Sequence, residues 1–134
     1  MLSKPVLTVA ETTRILEAAR AEGEKNKWAV AIVVVDDGGH PLGMLRLDGS
    51  APSSSYIATE KARTAAIGRR ETKVYEDMIN NGRTAFLSAP LLGTLEGGVP
   101  VIVEGQVVGA VGVSGVKSDQ DAQIAKAGIQ ALGV

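Results

Sequence analysis

The chain holds a single histidine, His40, and it stands directly after the glycine pair of an Asp36-Asp37-Gly38-Gly39 run. One imidazole is the only side chain here that changes charge near neutral pH, and it is the only one available as a metal ligand or a near-neutral base. Beside a turn, however, an exposed polar side chain is ordinary, so the plain structural reading stands next to the ligand reading. With one histidine and no cysteine, a transition-metal site built on several nitrogen or sulfur ligands is not expected. A site that needs only one or two protein ligands stays open. Met44, Tyr56, Tyr75 and Met78 are the other side chains able to serve, each of which also reads as packing.

Two further positions invite chemistry. Arg46 and Asp48 are two residues apart, so in a strand they point the same way. Such an arginine can grip the carboxylate of a ligand such as a small acid in a bidentate fork; an ion pair between the two is the alternative. Lys61 falls on the helical stripe Ile57, Lys61, Thr64, Gly68, beside a face of small residues. Burial there would lower its pKa and make it a base or nucleophile, which makes Lys61 the best catalytic candidate. Otherwise it snorkels outward or pairs with a carboxylate. Arg63, Arg69 and Arg70 read as solvated helix surface.

No recognisable catalytic motif accompanies these residues. The glycines of Gly109-Ala110-Val111-Gly112-Val113-Ser114-Gly115 sit inside an apparent strand and lack the Gly-Lys-Ser/Thr ending of a phosphate loop. Neither Ser88 nor Ser114 has the Gly-x-Ser-x-Gly setting of a nucleophile elbow.

The elements that must position these side chains are readable from periodicity. Thr8 with Glu11 three residues on reads as a capping box opening a helix, on which Val9, Thr12, Leu16 and Ala19 mark one face. Ala29 to Val35 reads AVAIVVV, a strand with no polar alternation and therefore buried on both faces. The Asp-Asp-Gly-Gly turn returns it as a second strand, His40 to Asp48. Ser53 to Ser55 offer N-caps for a second helix reaching about Arg70, with Ala58, Ala62, Ala65 and Ala66 on its close-packing side. Thr72 is expected to cap a short third helix closing near Asn81-Gly82. Residues 83 to 98 are irregular, and a second hairpin follows about Glu104-Gly105. Ser118, with Asp121 three residues later, is expected to cap the last helix. The order α-β-β-α-α-β-β-α gives an α+β fold, a profilin-like antiparallel sheet flanked by helices, as one domain over residues 1–134.

Bulk properties narrow the classes. Apolar residues are 45% and charged residues 22% of 134, the balance of a globular domain with one core. A net charge of −1 argues against nucleic acid as a partner. No apolar run nears the ~18 residues a membrane span needs, and the first residues lack the apolar stretch of a signal peptide, so a cytoplasmic location is expected. Strands buried on both faces with four modest helices to cover them raise the expectation that another copy supplies missing cover, unless the helices suffice.

These residues together carry a family resemblance. Asp36-Asp37-Gly38-Gly39-His40 with Arg46-Leu47-Asp48-Gly49, Lys61-Ala62-Arg63-Thr64-Ala65-Ala66, Gly97-Gly98-Val99-Pro100-Val101 and Val108 to Gly115, then Asp119 and Asp121, resemble in order and spacing the GlcG/HbpS-like family, which includes haem-degrading and PduO C-terminal-domain-like proteins. The resemblance implies a homo-oligomer (dimer, tetramer or octamer) and a small-molecule ligand. Haem or a related tetrapyrrole is the implied cofactor, with His40, Arg46, Asp48 and Lys61 as the binding set. Its other implications are a role with small carboxylic acids in glycolate-type metabolism, or a ligand-free regulatory oligomer.

Overall fold

The computed structural model describes residues 1–134. Its elements run α1 (Val9–Lys25), β1 (Ala31–Asp36), β2 (Pro41–Arg46), α2 (Pro52–Gly68), α3 (Thr72–Asn80), a 3-10 turn (Thr84–Ser88), β3 (Gly98–Val103), β4 (Gln106–Ser114) and α4 (Ser118–Gln130). The strands form one antiparallel sheet in the order β2-β1-β4-β3. This is the α+β order that the periodicity predicts, with the 3-10 turn inside the irregular stretch.

The unbroken apolar run of β1 has a two-sided explanation. Ile32 and Val34 join Ile15 and Ala19 of α1 and Ile124 and Ala125 of α4 in one core. Ala31, Val33 and Val35 face the opposite way, onto Ala58, Ala62, Ala65 and Ala66 of α2. Each such Val or Ile contributes about 1.5–3 kcal/mol by leaving water. The chain's own helices therefore cover both faces of β1 and β4, and no second copy is needed there. Strand β2 is covered on one face only, where Gly43 lies against Thr12 and Leu16 of α1. Met44, opposite Val33 on the α2 face of the sheet, lies beyond that helix and is 43% exposed.

Over two glycines of the sheet, α2 approaches backbone to backbone. A Cβ on Gly112 of β4 would stand 2.1 Å from the Ala58 carbonyl oxygen and 2.4 Å from the Ala62 nitrogen. One on Gly98 of β3 would stand 2.3 Å from the Lys61 carbonyl oxygen. Glycine is required at these positions for backbone approach.

Both edge strands are interrupted. Strand β2 begins at Pro41 and its register with β1 breaks between Val34 and Val35, while β3 carries Pro100 and breaks register with β4 between Val101 and Ile102. Prolines and bulges are the usual blunting devices of sheet edges.

The caps differ from the sequence expectation in three of four helices. At α1 the Thr8 N–H donates to the Glu11 carboxylate at 2.9 Å, as expected. Alpha-helix α2 instead starts at Pro52 behind an extended Ala51, because proline's fixed φ and missing N–H suit a first helical position. Thr72 is the first residue of α3 rather than its cap. Its buried hydroxyl is taken by the chain leading to β3, accepting from the Gly98 N–H at 2.9 Å and donating to the Leu95 carbonyl at 2.5 Å. At α4 the reach-back partner is Gln120, which accepts from the Lys117 N–H at 3.3 Å, and Asp121 turns inward.

Candidate functional site

The turn from β1 to β2 is built around the Asp36 carboxylate. Gly39 takes φ +84°, and a Cβ there would stand 2.8 Å from Arg63 Cγ, so the turn folds tightly against α2. Asp36 Oδ1 accepts from the Gly38 N–H at 3.0 Å and the His40 N–H at 2.9 Å. It also lies 3.1 Å from His40 Nδ1, with Oδ2 at 3.3 Å. Burial pushes this carboxyl upward, but the backbone N–H groups of His40 and Gly38 and the imidazole outweigh it and hold the pKa below the usual carboxylate range. The His40 side chain is 79% exposed and its Nε2 has no protein partner.

The neighbouring Asp37 gathers cations. Lys4 Nζ lies 2.5 Å from its carboxylate and Arg69 Nη2 4.0 Å away. The hydrogen bond from Lys4, opposed by burial, holds the Asp37 pKa low. Arg69 is more than solvated surface: it ends α2 in the left-handed region (φ +61°) and Nη1 donates to the Asp37 and Ala66 carbonyls. At this same end of the sheet, an open groove of about 630 Å³ runs between Leu2, Lys4, Arg69, Ile102 and Val107.

Arg46 and Asp48 occupy the opposite end. Arg46 pairs with Ala31, five residues along β1 from Asp36, which places it about 17 Å from the turn at ~3.3 Å per residue. With Arg20, Glu24, Lys27 and Trp28 the two residues line a groove of about 470 Å³. Strand β2 ends at Arg46, so strand alternation does not extend to Asp48, and no Arg46–Asp48 ion pair forms. Neither Arg46 nor Lys27 has a carboxylate within ion-pair distance, while Arg20 is held by Glu24 at 2.7 Å. Lys27 adopts φ +59° where α1 ends, with the Trp28 N–H returning to the Gly23 carbonyl at 2.8 Å. This is a helix end where glycine is the common choice.

Lys61 is sealed inside. Its Nζ donates to Asp121 Oδ2 and to the Val113 carbonyl, each at 3.0 Å, and the two side chains are 3% and 2% exposed. Asp121 Oδ1 also accepts from the Val116 N–H at 3.2 Å. Burial pushes the Asp121 pKa up against the attraction of Lys61 and these donors. The pair fastens α2 to the end of β4 and the start of α4.

Of the four residues singled out in the sequence, the structure brings Arg46 and Asp48 into one groove and keeps His40 and Lys61 in separate surroundings. Of the other ligand candidates, Tyr56 is exposed, while Tyr75 is buried and stacked on Phe86 with ring centroids 5.0 Å apart. No group of three or more His, Cys, Asp or Glu side chains is arranged to hold a metal ion, and no helix is long and apolar enough to cross a membrane. Sequence reasoning missed the partners rather than the residues. Asp36 sits four residues before His40 across the glycine turn, which is a usable signal; Asp121 lies 60 residues from Lys61, which offers none.

Residues 7–130 match the family model described as "Haem degrading protein HbpS-like". The chain is similar to Protein GlcG of Escherichia coli K12, with 59% identity over 114 residues, 85% of each chain. Among solved structures, an HbpS double mutant from Streptomyces reticuli superposes with a TM-score of 0.89 at 33% identity, covering 100% of this chain and 92% of the other. A PduOC:heme complex superposes with a TM-score of 0.85 at 25% identity, covering 95% of each.

Proposed function

The chain belongs to the HbpS-like family, and from that premise we propose that it binds haem or a related tetrapyrrole through His40, as a cytoplasmic homo-oligomer. One observation carries this reading. The chain's only imidazole projects from a rigid turn, 79% exposed, with Nε2 unengaged.

The surroundings suit the group. Lys4, Arg63 and Arg69 lie about the turn and would meet propionate carboxylates. Leu2, Ile102 and Val107 line apolar surface in the adjoining groove, whose volume of about 630 Å³ falls in the range of small-molecule sites. Haem, when bound, supplies an iron centre whose potential and reactivity follow from its axial ligands. This chain's residues contribute the ligand nitrogen, its orientation and the cationic rim. No aromatic ring lines the groove, so ligation and charge replace stacking in holding the macrocycle. The turn is convex, and we assign the second wall to another copy of the chain, as a dimer or a larger tetramer or octamer.

The test is titration of haem into the apo-protein, followed at the Soret band, beside His40→Ala. Saturation at one haem per chain, with the ligation spectrum lost in the variant, supports the reading. Absence of saturable binding refutes it.

A second reading rests on Arg46 and Lys27, whose cationic groups have no carboxylate partner. We infer that their groove, with Asp48 and Trp28, receives a small carboxylic acid of the glycolate type. A catalytic role for Lys61 in such chemistry requires its separation from Asp121 first. Stabilisation by glycolate that vanishes in Arg46→Ala supports this site, and an unchanged melting temperature refutes it.

A further inference from the structure

We propose that Asp36 is a positioning residue for His40: it fixes the ring in the tautomer protonated at Nδ1, so that Nε2 is presented bare to a ligand metal. The consequence for iron rests on the haem reading above; the tautomer itself does not.

The geometry behind this is a chain of restraints. Asp36 is the last residue of β1, and its position is set by pairing with Gly109 of β4. Its carboxylate is held by two backbone donors of the turn, Gly38 N–H at 3.0 Å and His40 N–H at 2.9 Å. A carboxylate anchored in this way can only accept. The ring nitrogen beside it, Nδ1 at 3.1 Å and 3.3 Å from the two oxygens, must therefore be the donor. In a neutral imidazole that leaves the lone pair on Nε2, which has no protein partner and faces solvent. The cations at this end, Lys4 and Arg69, engage Asp37 and leave Asp36 to the ring.

Carboxylates that accept from the far nitrogen of a metal-binding histidine orient the ring and raise its donor strength. A more strongly donating ring nitrogen favours the ferric state, so Asp36 would lower the potential of a haem iron held by His40. A carboxylate that merely closed the hairpin would hold the two backbone N–H groups and leave the ring free to exchange its proton between Nδ1 and Nε2.

The first measurement is the nitrogen-15 NMR spectrum of the His40 ring in the apo-protein at about pH 8.5, where an imidazole is neutral. The expected result is a protonated Nδ1 and an unprotonated Nε2, the form disfavoured in free histidine. The same spectrum of Asp36→Ala is expected to revert toward the free-histidine preference. In haem titrations Asp36→Asn, whose amide oxygen still accepts from the turn's N–H groups, is expected to bind about 10–100-fold more weakly, with a raised midpoint potential. Its melting temperature and circular dichroism serve as the folding control. A protonated Nε2 in the wild-type apo-protein overturns the proposal, and so does an unchanged affinity and potential in Asp36→Asn where His40→Ala abolishes ligation. If haem binds without regard to His40, the haem reading fails, and the apo-protein spectrum alone still decides the role of Asp36.

Discussion

Replacing Lys61 by Met removes one half of an ion pair that has almost no access to water. At 3.0 Å and an effective dielectric constant near 20, the attraction between the two charges is about 5–6 kcal/mol. Withdrawing the two ions from water offsets most of this, so the intact pair contributes little net stability compared with an apolar pair. Removing one partner is another matter, because Asp121 then stays buried with only the Val116 N–H to answer it. Lys61→Met and Asp121→Leu are each expected to lose about 3–5 kcal/mol, and the double variant to lie within about 2 kcal/mol of the wild type. Urea unfolding followed by fluorescence of Trp28, the only tryptophan, measures all four corners of the cycle. It should be repeated at several protein concentrations so that association is not counted as folding. The deficit of Lys61→Met should also shrink as the pH falls from neutral. Without the ammonium, burial raises the Asp121 pKa further, so the folded state takes up a proton that the unfolded chain does not, and folding gains on acidification. Additive losses, or single losses below about 1 kcal/mol, would refute the claim that the pair is a coupled buried unit.

Two further outcomes follow from packing and charge. Gly112→Ala places a Cβ 2.1 Å from the Ala58 carbonyl oxygen, which forces α2 off the sheet; a loss of about 3 kcal/mol is expected in thermal or urea unfolding, and a change under about 1 kcal/mol contradicts the close approach. Glu22 accepts from Gln123 Nε2 at 2.7 Å, and this bond, opposed by burial and aided by Lys25, holds its pKa low. The stability it contributes is present above the ordinary carboxylate range and is lost as pH falls through the lowered folded pKa. Glu22→Gln should therefore flatten the decline of melting temperature between about pH 5 and pH 3, and an unchanged slope counts against the assignment.

What could be read from the sequence was what depends on near neighbours. The Val-Ile run of β1, the glycine turn after Asp36, the Thr8–Glu11 cap and the small-residue face of α2 each carry their signal within a few residues. Two of the three misread helix starts share one cause. Thr72 and Asp121 have the chemistry of local caps, but tertiary partners claimed them, Gly98 and Leu95 in one case and Lys61 and Val116 in the other. For Lys61 the sequence left burial, snorkelling and a carboxylate partner all open, and it did not point to Asp121, which arrives from a different helix. The candidate site was legible residue by residue. Its partition was not, since only the extended length of the β1–β2 hairpin shows that His40 and Arg46 stand at opposite ends.

The interrupted sheet edges bear on how copies of this chain can add together. A sheet whose outermost strands offer a clean ladder can recruit identical sheets without limit, and the product is a fibre. Here an incoming strand meets a proline on either side, at Pro41 beside the bulge of β2 and at Pro100 within β3. Growth by backbone pairing stops after a few bonds in both directions. Association is thereby left to side-chain surfaces such as Met44 and the exposed leucines Leu87 and Leu92, where shape complementarity selects a few fixed orientations. A two-fold contact between such surfaces closes at two subunits, and a head-to-tail contact closes only where its rotation completes a ring.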